Sequence, residues 1–67
     1  MKGVYIIDNE MINLSLIKEI RMNDNFICFV SIAGGNFVFD SDKYDIEQIW
    51  EQIEIMQVEG YAAVRYE

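Results

Sequence analysis

Histidine and threonine are both absent from the 67-residue chain, and serine occurs only at positions 15, 31 and 41. Without histidine, the Ser–His and Cys–His pairs that activate catalytic nucleophiles cannot form, and most zinc sites lose their usual ligand. A chain of this length also has little room for an enclosed pocket. We therefore expect a protein that is not an enzyme and that uses neither a metal nor another cofactor.

Cysteine and long apolar runs are also scarce. Cys28 is the single cysteine, so no disulfide can form within the chain, and its apolar surroundings in the sequence indicate an inert core thiol. No apolar run approaches the length of a membrane span, and the short run after Gly3 is too brief for a signal peptide. The sequence thus predicts a cytoplasmic protein that does not associate with membranes.

Basic residues are few, since five lysines and arginines stand against twelve aspartates and glutamates, for a net charge of −7. Seven of the acidic residues lie between positions 40 and 59, where Lys43 is the only basic residue. Such a segment repels phosphate, so direct binding to nucleic acid is not expected. A larger protein with a basic surface, for example a nucleic-acid-binding protein, would instead be attracted.

The stretch from Asp42 to Val58 predicts one helix. Apolar residues recur there at the i, i+3, i+4 spacing of a single helical face: Ile46, Ile49, Trp50, Ile53 and Met56. Asp42 is a suitable N-cap, with Ser41 as an alternative one residue earlier. Gly60 follows the last periodic residue, at the position where a left-handed glycine commonly ends a helix.

The opposite side of the predicted helix carries a row of carboxylates. Glu47, Glu51 and Glu54 follow one another at i, i+4 and i+7, and no lysine or arginine lies among them to form a pair. Ile55 stands off the apolar stripe beside this row. The row is either an ordinary solvated face or a docking surface, and in the second case the predicted contacts are Asp42, Asp45, Glu47, Glu51, Glu54 and Ile55.

Short apolar or alternating runs bounded by turn residues predict strands in the rest of the chain. They cover residues 4–7, 11–14, 18–22, 26–32, 37–39 and 61–66, with turns at 8–10, 23–25 and 34–36. In residues 18–22, Ile20 and Met22 alternate with charged residues as in a half-buried strand. A helix over residues 15–22 is the alternative, because Ile12, Leu16 and Ile20 also share one helical face.

These elements predict an α+β fold in one small domain, residues 1–67. We expect an antiparallel β-meander of about four to five strands with the amphipathic helix packed on one face, in the order β-β-β-β-α-β.

The run from residue 26 to 32 is apolar on both faces, which is typical of a strand that is covered on both sides. One helix covers only one face of a sheet, and 52% of the residues are hydrophobic, so a second buried surface is expected. We predict a homodimer with Ile27, Phe29 and Val38 in the interface.

The favoured function is a non-enzymatic interaction module that inhibits a larger protein, in the manner of phage or mobile-element anti-defence proteins such as anti-CRISPR proteins. This hypothesis follows from small size, concentrated acidity and absent catalytic groups, and no motif carries it. The alternative is a self-associating structural or regulatory module. A small-ligand site between protomers is a further possibility, although Lys18, Arg21 and Arg65 are the only notable candidates to hold phosphate.

Overall fold

The computed structural model describes residues 1–67, which form six strands and one α-helix. In chain order these are β1 (Val4–Ile7), β2 (Glu10–Asn13), β3 (Ile17–Met22), β4 (Phe26–Ser31), β5 (Asn36–Asp40), α1 (Ile46–Glu59) and β6 (Ala63–Arg65). The predicted α+β class is confirmed, as is the single helix before a final strand. The strands number six rather than four to five, and they form two three-stranded sheets instead of one meander.

The chain groups into two compact units. The helix unit contains Met1–Ser15 and Glu47–Glu67, with the sheet β2-β1-β6 and nearly all of α1. The hairpin unit contains Leu16–Ile46, with the sheet β3-β4-β5. The expectation that residues 1–67 form a single domain stays a prediction.

Strand β1 is the centre of the sheet in the helix unit. It pairs antiparallel with β2 across a tight turn, where Asp8 adopts a φ of 53°, and it pairs parallel with β6. A parallel pair needs a crossover connection, and α1 lies on the path that leads to β6. Tyr5 stands in register with Ile12 on one side and Val64 on the other, and the side chain of Tyr5 is fully buried.

Helix α1 buries the apolar stripe that its sequence predicts. Ile46, Ile49, Ile53 and Met56 are all buried. Trp50 differs from this expectation, because its side chain is only half-buried. It follows Ile49 by one residue, which turns it about 100° away around the helix and places it at the edge of the stripe.

The helix begins later than the capping pattern predicts. Asp40 holds the preceding segment in a turn: its carbonyl accepts from the N–H groups of Lys43 and Tyr44, and its carboxylate accepts from the N–H of Asp42 at 3.0 Å. Residues 41–44 therefore precede the helix, and Asp45 rather than Asp42 occupies the position before the first helical residue. The predicted end is confirmed, since Gly60 has a φ of 76° directly after α1.

Glutamine side chains of α1 hold both ends of the chain within the helix unit. The amide of Gln52 accepts a hydrogen bond from the Tyr5 hydroxyl and donates one to the carbonyl of Arg65. Gln57 accepts from the N–H of Lys2 and donates to the carbonyl of the same residue at 2.7 Å. These bonds satisfy main-chain groups beside β1 and β6 that the short strands leave without ladder partners.

The hairpin unit is an antiparallel meander with β4 in the centre. Residues 14–16 form one turn of 3₁₀-helix, and β3 follows as an extended strand, so the helical alternative for residues 15–22 is wrong. The turn before β4 forms as predicted, because the Asn23 side chain accepts from the N–H groups of Asn25 and Phe26. Gly34 and Gly35, both with positive φ, provide the turn before β5.

The two faces of β4 are not arranged as the dimer prediction requires. Ile27 and Phe29 are fully buried within the chain, so neither presents a surface to a second copy. Phe29 packs edge-on against Phe39 at a ring distance of 6.0 Å, and both side chains are buried. Val38 pairs in register with Cys28 and lies on the opposite face, where it is 59% exposed. The assignment of Ile27 and Phe29 to an interface is corrected accordingly.

Candidate interaction surface

The side of α1 that turns away from the buried stripe presents carboxylates and apolar groups together. We call its exposed side chains the outer face, and they are Glu47, Glu51, Glu54, Ile55, Val58 and Glu59. The helix contains no lysine or arginine. This face therefore concentrates acidic side chains with no basic side chain on the same helix.

The helical period sets this geometry. Residues three or four apart are neighbours on a helix surface, so Glu51 lies next to Glu47, Glu54 and Ile55. Val58 lies one turn beyond Glu54 and continues the same row. Because the buried stripe fixes the rotation of the helix, these residues are held outward by the packing on the other side.

The apolar part of the outer face is unusually open to solvent. Ile55 is 53% exposed and Val58 is 83% exposed. A shallow depression of about 320 Å³ lies over them, lined by Glu51, Glu54, Ile55, Val58 and Glu59. This volume would fit a small ligand, but ligand sites bury most of the ligand surface, and a single convex helix cannot do so. The surface is better suited to contact with another macromolecule.

Four of the six predicted contact residues lie together on the outer face, namely Glu47, Glu51, Glu54 and Ile55. The other two, Asp42 and Asp45, are exposed residues of the hairpin unit, before the helix begins. The outer face is therefore defined by the helical residues alone.

Val58 and Glu59 belong to the surface but were not predicted as contacts. The sequence holds the signal for Val58, which stands four residues after Glu54 and seven after Glu51. Glu59 is the last helical residue, and it joins the surface because α1 extends to that position. The sequence pattern that identifies this surface is therefore a row of carboxylates at helical spacing that an aliphatic residue continues.

No group of three or more histidine, cysteine or carboxylate side chains is arranged to hold a metal ion. Cys28 is a free thiol that is buried. Arg21, a candidate for holding phosphate, donates to the Glu19 carboxylate of its own strand at 2.6 Å, and this bond lowers the pKa of Glu19. The chain has no helix with the length and apolar character needed to cross a membrane.

Comparisons with known proteins give no relative, since no family model matches the chain and no curated protein or solved structure is significantly similar to it.

Proposed function

We propose that the protein is a non-enzymatic interaction module that binds a larger protein through the outer face of α1. The observation that carries this proposal is the placement of Ile55 and Val58, both exposed, among the carboxylates of Glu51, Glu54 and Glu59. Interfaces combine an apolar centre with a polar rim, and the outer face has this arrangement.

The chemistry of the outer face defines its partner. The outer face carries four carboxylates and no basic side chain, so it favours lysines and arginines on the opposing surface. The long-range attraction between the two surfaces also raises the rate of association. The two aliphatic side chains require a small apolar contact within that basic surface. A groove that binds nucleic acid is basic in the same way, so we further propose that binding excludes nucleic acid and inhibits the partner. The proposed compartment is the cytoplasm, where an unpaired thiol such as that of Cys28 stays reduced.

The stability of the helix does not account for this face. Glu47 and Glu51 repel each other at i, i+4, and Glu59 places a negative charge at the negative end of the helix dipole. Both arrangements destabilise a helix slightly, whereas Glu51→Lys would form an i, i+4 pair with Glu47 and Glu59→Lys would suit the negative end of the dipole. A charge pattern that opposes stability is expected where the charges serve binding.

The proposal is tested by affinity capture from a lysate of the native or presumed host at low and moderate salt. The test variant is the triple substitution Glu47→Lys, Glu51→Lys and Glu54→Lys. Its matched control reverses three exposed acidic residues outside the helix, Glu10→Lys, Asp24→Lys and Glu67→Lys, and so makes the same change in net charge.

We expect one stoichiometric partner with a basic surface, whose capture weakens as salt screens the attraction. The helix variant should lose this partner while the control retains it, and circular dichroism should show both variants folded. Equal loss in the two variants would assign binding to net charge alone, and unchanged capture by the helix variant would remove the outer face from the interaction.

A further inference from the structure

Strand β5 is an edge of the sheet in the hairpin unit, since it pairs only with β4. The opposite edge, β3, carries two features that hinder further pairing: a register irregularity between Ile17 and Glu19, and exposed charged side chains. Strand β5 pairs in regular register along its five residues, contains no lysine or proline, and has an exposed valine at its centre. It is therefore the edge of this sheet that is open to another strand.

The main-chain direction of β5 follows from the hydrogen bonds at its ends. Ser31 donates to the carbonyl of Gly35, and Ser41 donates to the carbonyl of Asn25. In an antiparallel ladder, hydrogen-bonded pairs alternate with non-bonded pairs. Residues 35, 37, 39 and 41 thus point their main-chain groups towards β4. Residues 36, 38 and 40 point theirs towards the open edge, where the carbonyl of Asp40 is already bonded to the N–H groups of Lys43 and Tyr44.

The sequence of β5, Asn-Phe-Val-Phe-Asp, is close to a palindrome about Val38. If two copies of β5 pair antiparallel about a twofold axis at this residue, Val38 faces Val38 of the second copy. Phe37 then faces Phe39, and Asn36 faces Asp40. Aromatic and β-branched cross-strand pairs stabilise sheets, and no two like charges are opposed.

We propose that the protein forms a homodimer by antiparallel pairing of β5 with β5 of a second copy, which joins the two hairpin-unit sheets into one of six strands. The ladder direction is compatible with this register. Because the N–H and carbonyl of Val38 point outward, Val38 facing its own copy across the twofold axis forms a hydrogen-bonded pair. The Val38 groups bond reciprocally, and the N–H of Asp40 donates to the carbonyl of Asn36 in the second copy.

This interface differs from the one that the sequence suggests, because it uses the edge of β5 and leaves Ile27 and Phe29 in the core of each copy.

The response of this dimer to salt also differs from that of partner binding at the outer face of α1. Each copy carries a net charge of −7, so salt screens the repulsion between copies and favours the dimer. The same increase in salt weakens the binding of a basic partner, so salt dependence distinguishes the two interactions.

The first test is sedimentation equilibrium from low micromolar to several hundred micromolar protein, at low and high salt. The native chain should approach twice its mass of 7.9 kDa, more readily at high salt. Val38→Lys places two like charges at the twofold axis and should leave the chain monomeric. Met11→Lys alters a similarly exposed residue of β2 in the helix unit and should dimerise as the native chain does.

The second test is amide hydrogen exchange measured by NMR at low and high protein concentration. Exchange should slow with concentration at Val38 and Asp40, whose N–H groups enter the new ladder, and much less at Phe37 and Phe39, which already bond to β4. A native chain that stays monomeric throughout would overturn the proposal. So would a dimer that Val38→Lys leaves intact, or a Val38 amide whose exchange is independent of concentration.

Discussion

The hydroxyl of Tyr5 donates a hydrogen bond to Oε1 of Gln52 at 2.5 Å and so joins the central strand of the helix unit to the middle of α1. The Tyr5 side chain is fully buried, so this bond replaces the water that the hydroxyl loses on folding. The same Gln52 amide donates to the carbonyl of Arg65, the last residue of β6. Gln52 thus positions α1 against β1 and β6. The outer face lies on the opposite side of α1, so the same hydrogen bonds set its orientation.

The first prediction concerns this bond. Tyr5→Phe removes the hydroxyl and leaves Oε1 of Gln52 without that donor, so we expect the free energy of unfolding to fall by about 1 kcal/mol. Urea denaturation measures the change. Tyr61→Phe, at a tyrosine that is half exposed, is the matched control and should change the stability by less than about 0.5 kcal/mol. Equal losses of stability in the two variants would show that the buried hydrogen bond of Tyr5 contributes no more to stability than the exposed hydroxyl of Tyr61 does.

The second prediction concerns alkaline pH. Burial raises the pKa of Tyr5 well above its ordinary value of 10.0, and the nearby Tyr66 adds to the rise. Above pH 10 the unfolded chain therefore releases this proton while the folded chain keeps it. The free energy of unfolding should fall as pH rises beyond about 10, by up to about 1.4 kcal/mol per pH unit for this one proton.

Comparison with Tyr5→Phe isolates this contribution, because the variant has no proton to release at that position. The native chain should lose more stability than the variant between neutral pH and about pH 11, as measured by urea denaturation at each pH. Parallel losses in the two proteins would assign the alkaline decline to other groups.

The third prediction compares two glycines with positive φ. Gly3 and Gly60 both adopt conformations that cost alanine about 1–2 kcal/mol. A Cβ on Gly3 would also lie 2.6 Å from Cε of Met56 and 3.0 Å from the carbonyl oxygen of Ala62, whereas a Cβ on Gly60 meets nothing within 4 Å. Thermal denaturation should therefore show a larger loss for Gly3→Ala than for Gly60→Ala, and the reverse order would contradict the packing described for the helix unit.

The fourth prediction tests whether the charges of α1 oppose its stability. Glu59→Gln removes a negative charge from the last helical residue and should raise the free energy of unfolding by about 0.3–1 kcal/mol. Glu47→Gln makes the same chemical change in the first turn, where the favourable dipole interaction of about 0.3–1 kcal/mol outweighs a repulsion from Glu51 of about 0.2–0.5 kcal/mol, and should lower it. Urea denaturation at low salt measures both, and a loss of stability in Glu59→Gln would remove this support for a binding role.

Much of the local structure follows from the sequence because it depends on neighbouring residues. The apolar period predicts the stripe of α1, and Gly60 predicts its end. The start of α1 was predicted too early because both Asp42 and Asp45 are suitable caps, and the choice between them depends on the turn that Asp40 stabilises. Pairing of β1 with β6 joins residues about sixty positions apart, and no local pattern specifies it.

The outer face was predictable in part, because a helical period that identifies the buried side also identifies the exposed one. Val58 was missed because it was treated as the last residue of the helix rather than as the continuation of the carboxylate row. Ile27 and Phe29 were misplaced for a different reason. A strand that is apolar on both faces does not reveal which face meets the core, and this depends on how β4 packs with Phe39.

The central claim is that a partner docks on the outer face of α1. The most direct measurement is photocrosslinking from a benzophenone amino acid placed at Val58, the most exposed large apolar side chain of the helix, with the same amino acid at Met11 as control. We expect the basic, salt-sensitive partner to be crosslinked from position 58 and not from position 11. Crosslinking of that partner from position 11 but not from position 58 would contradict the account.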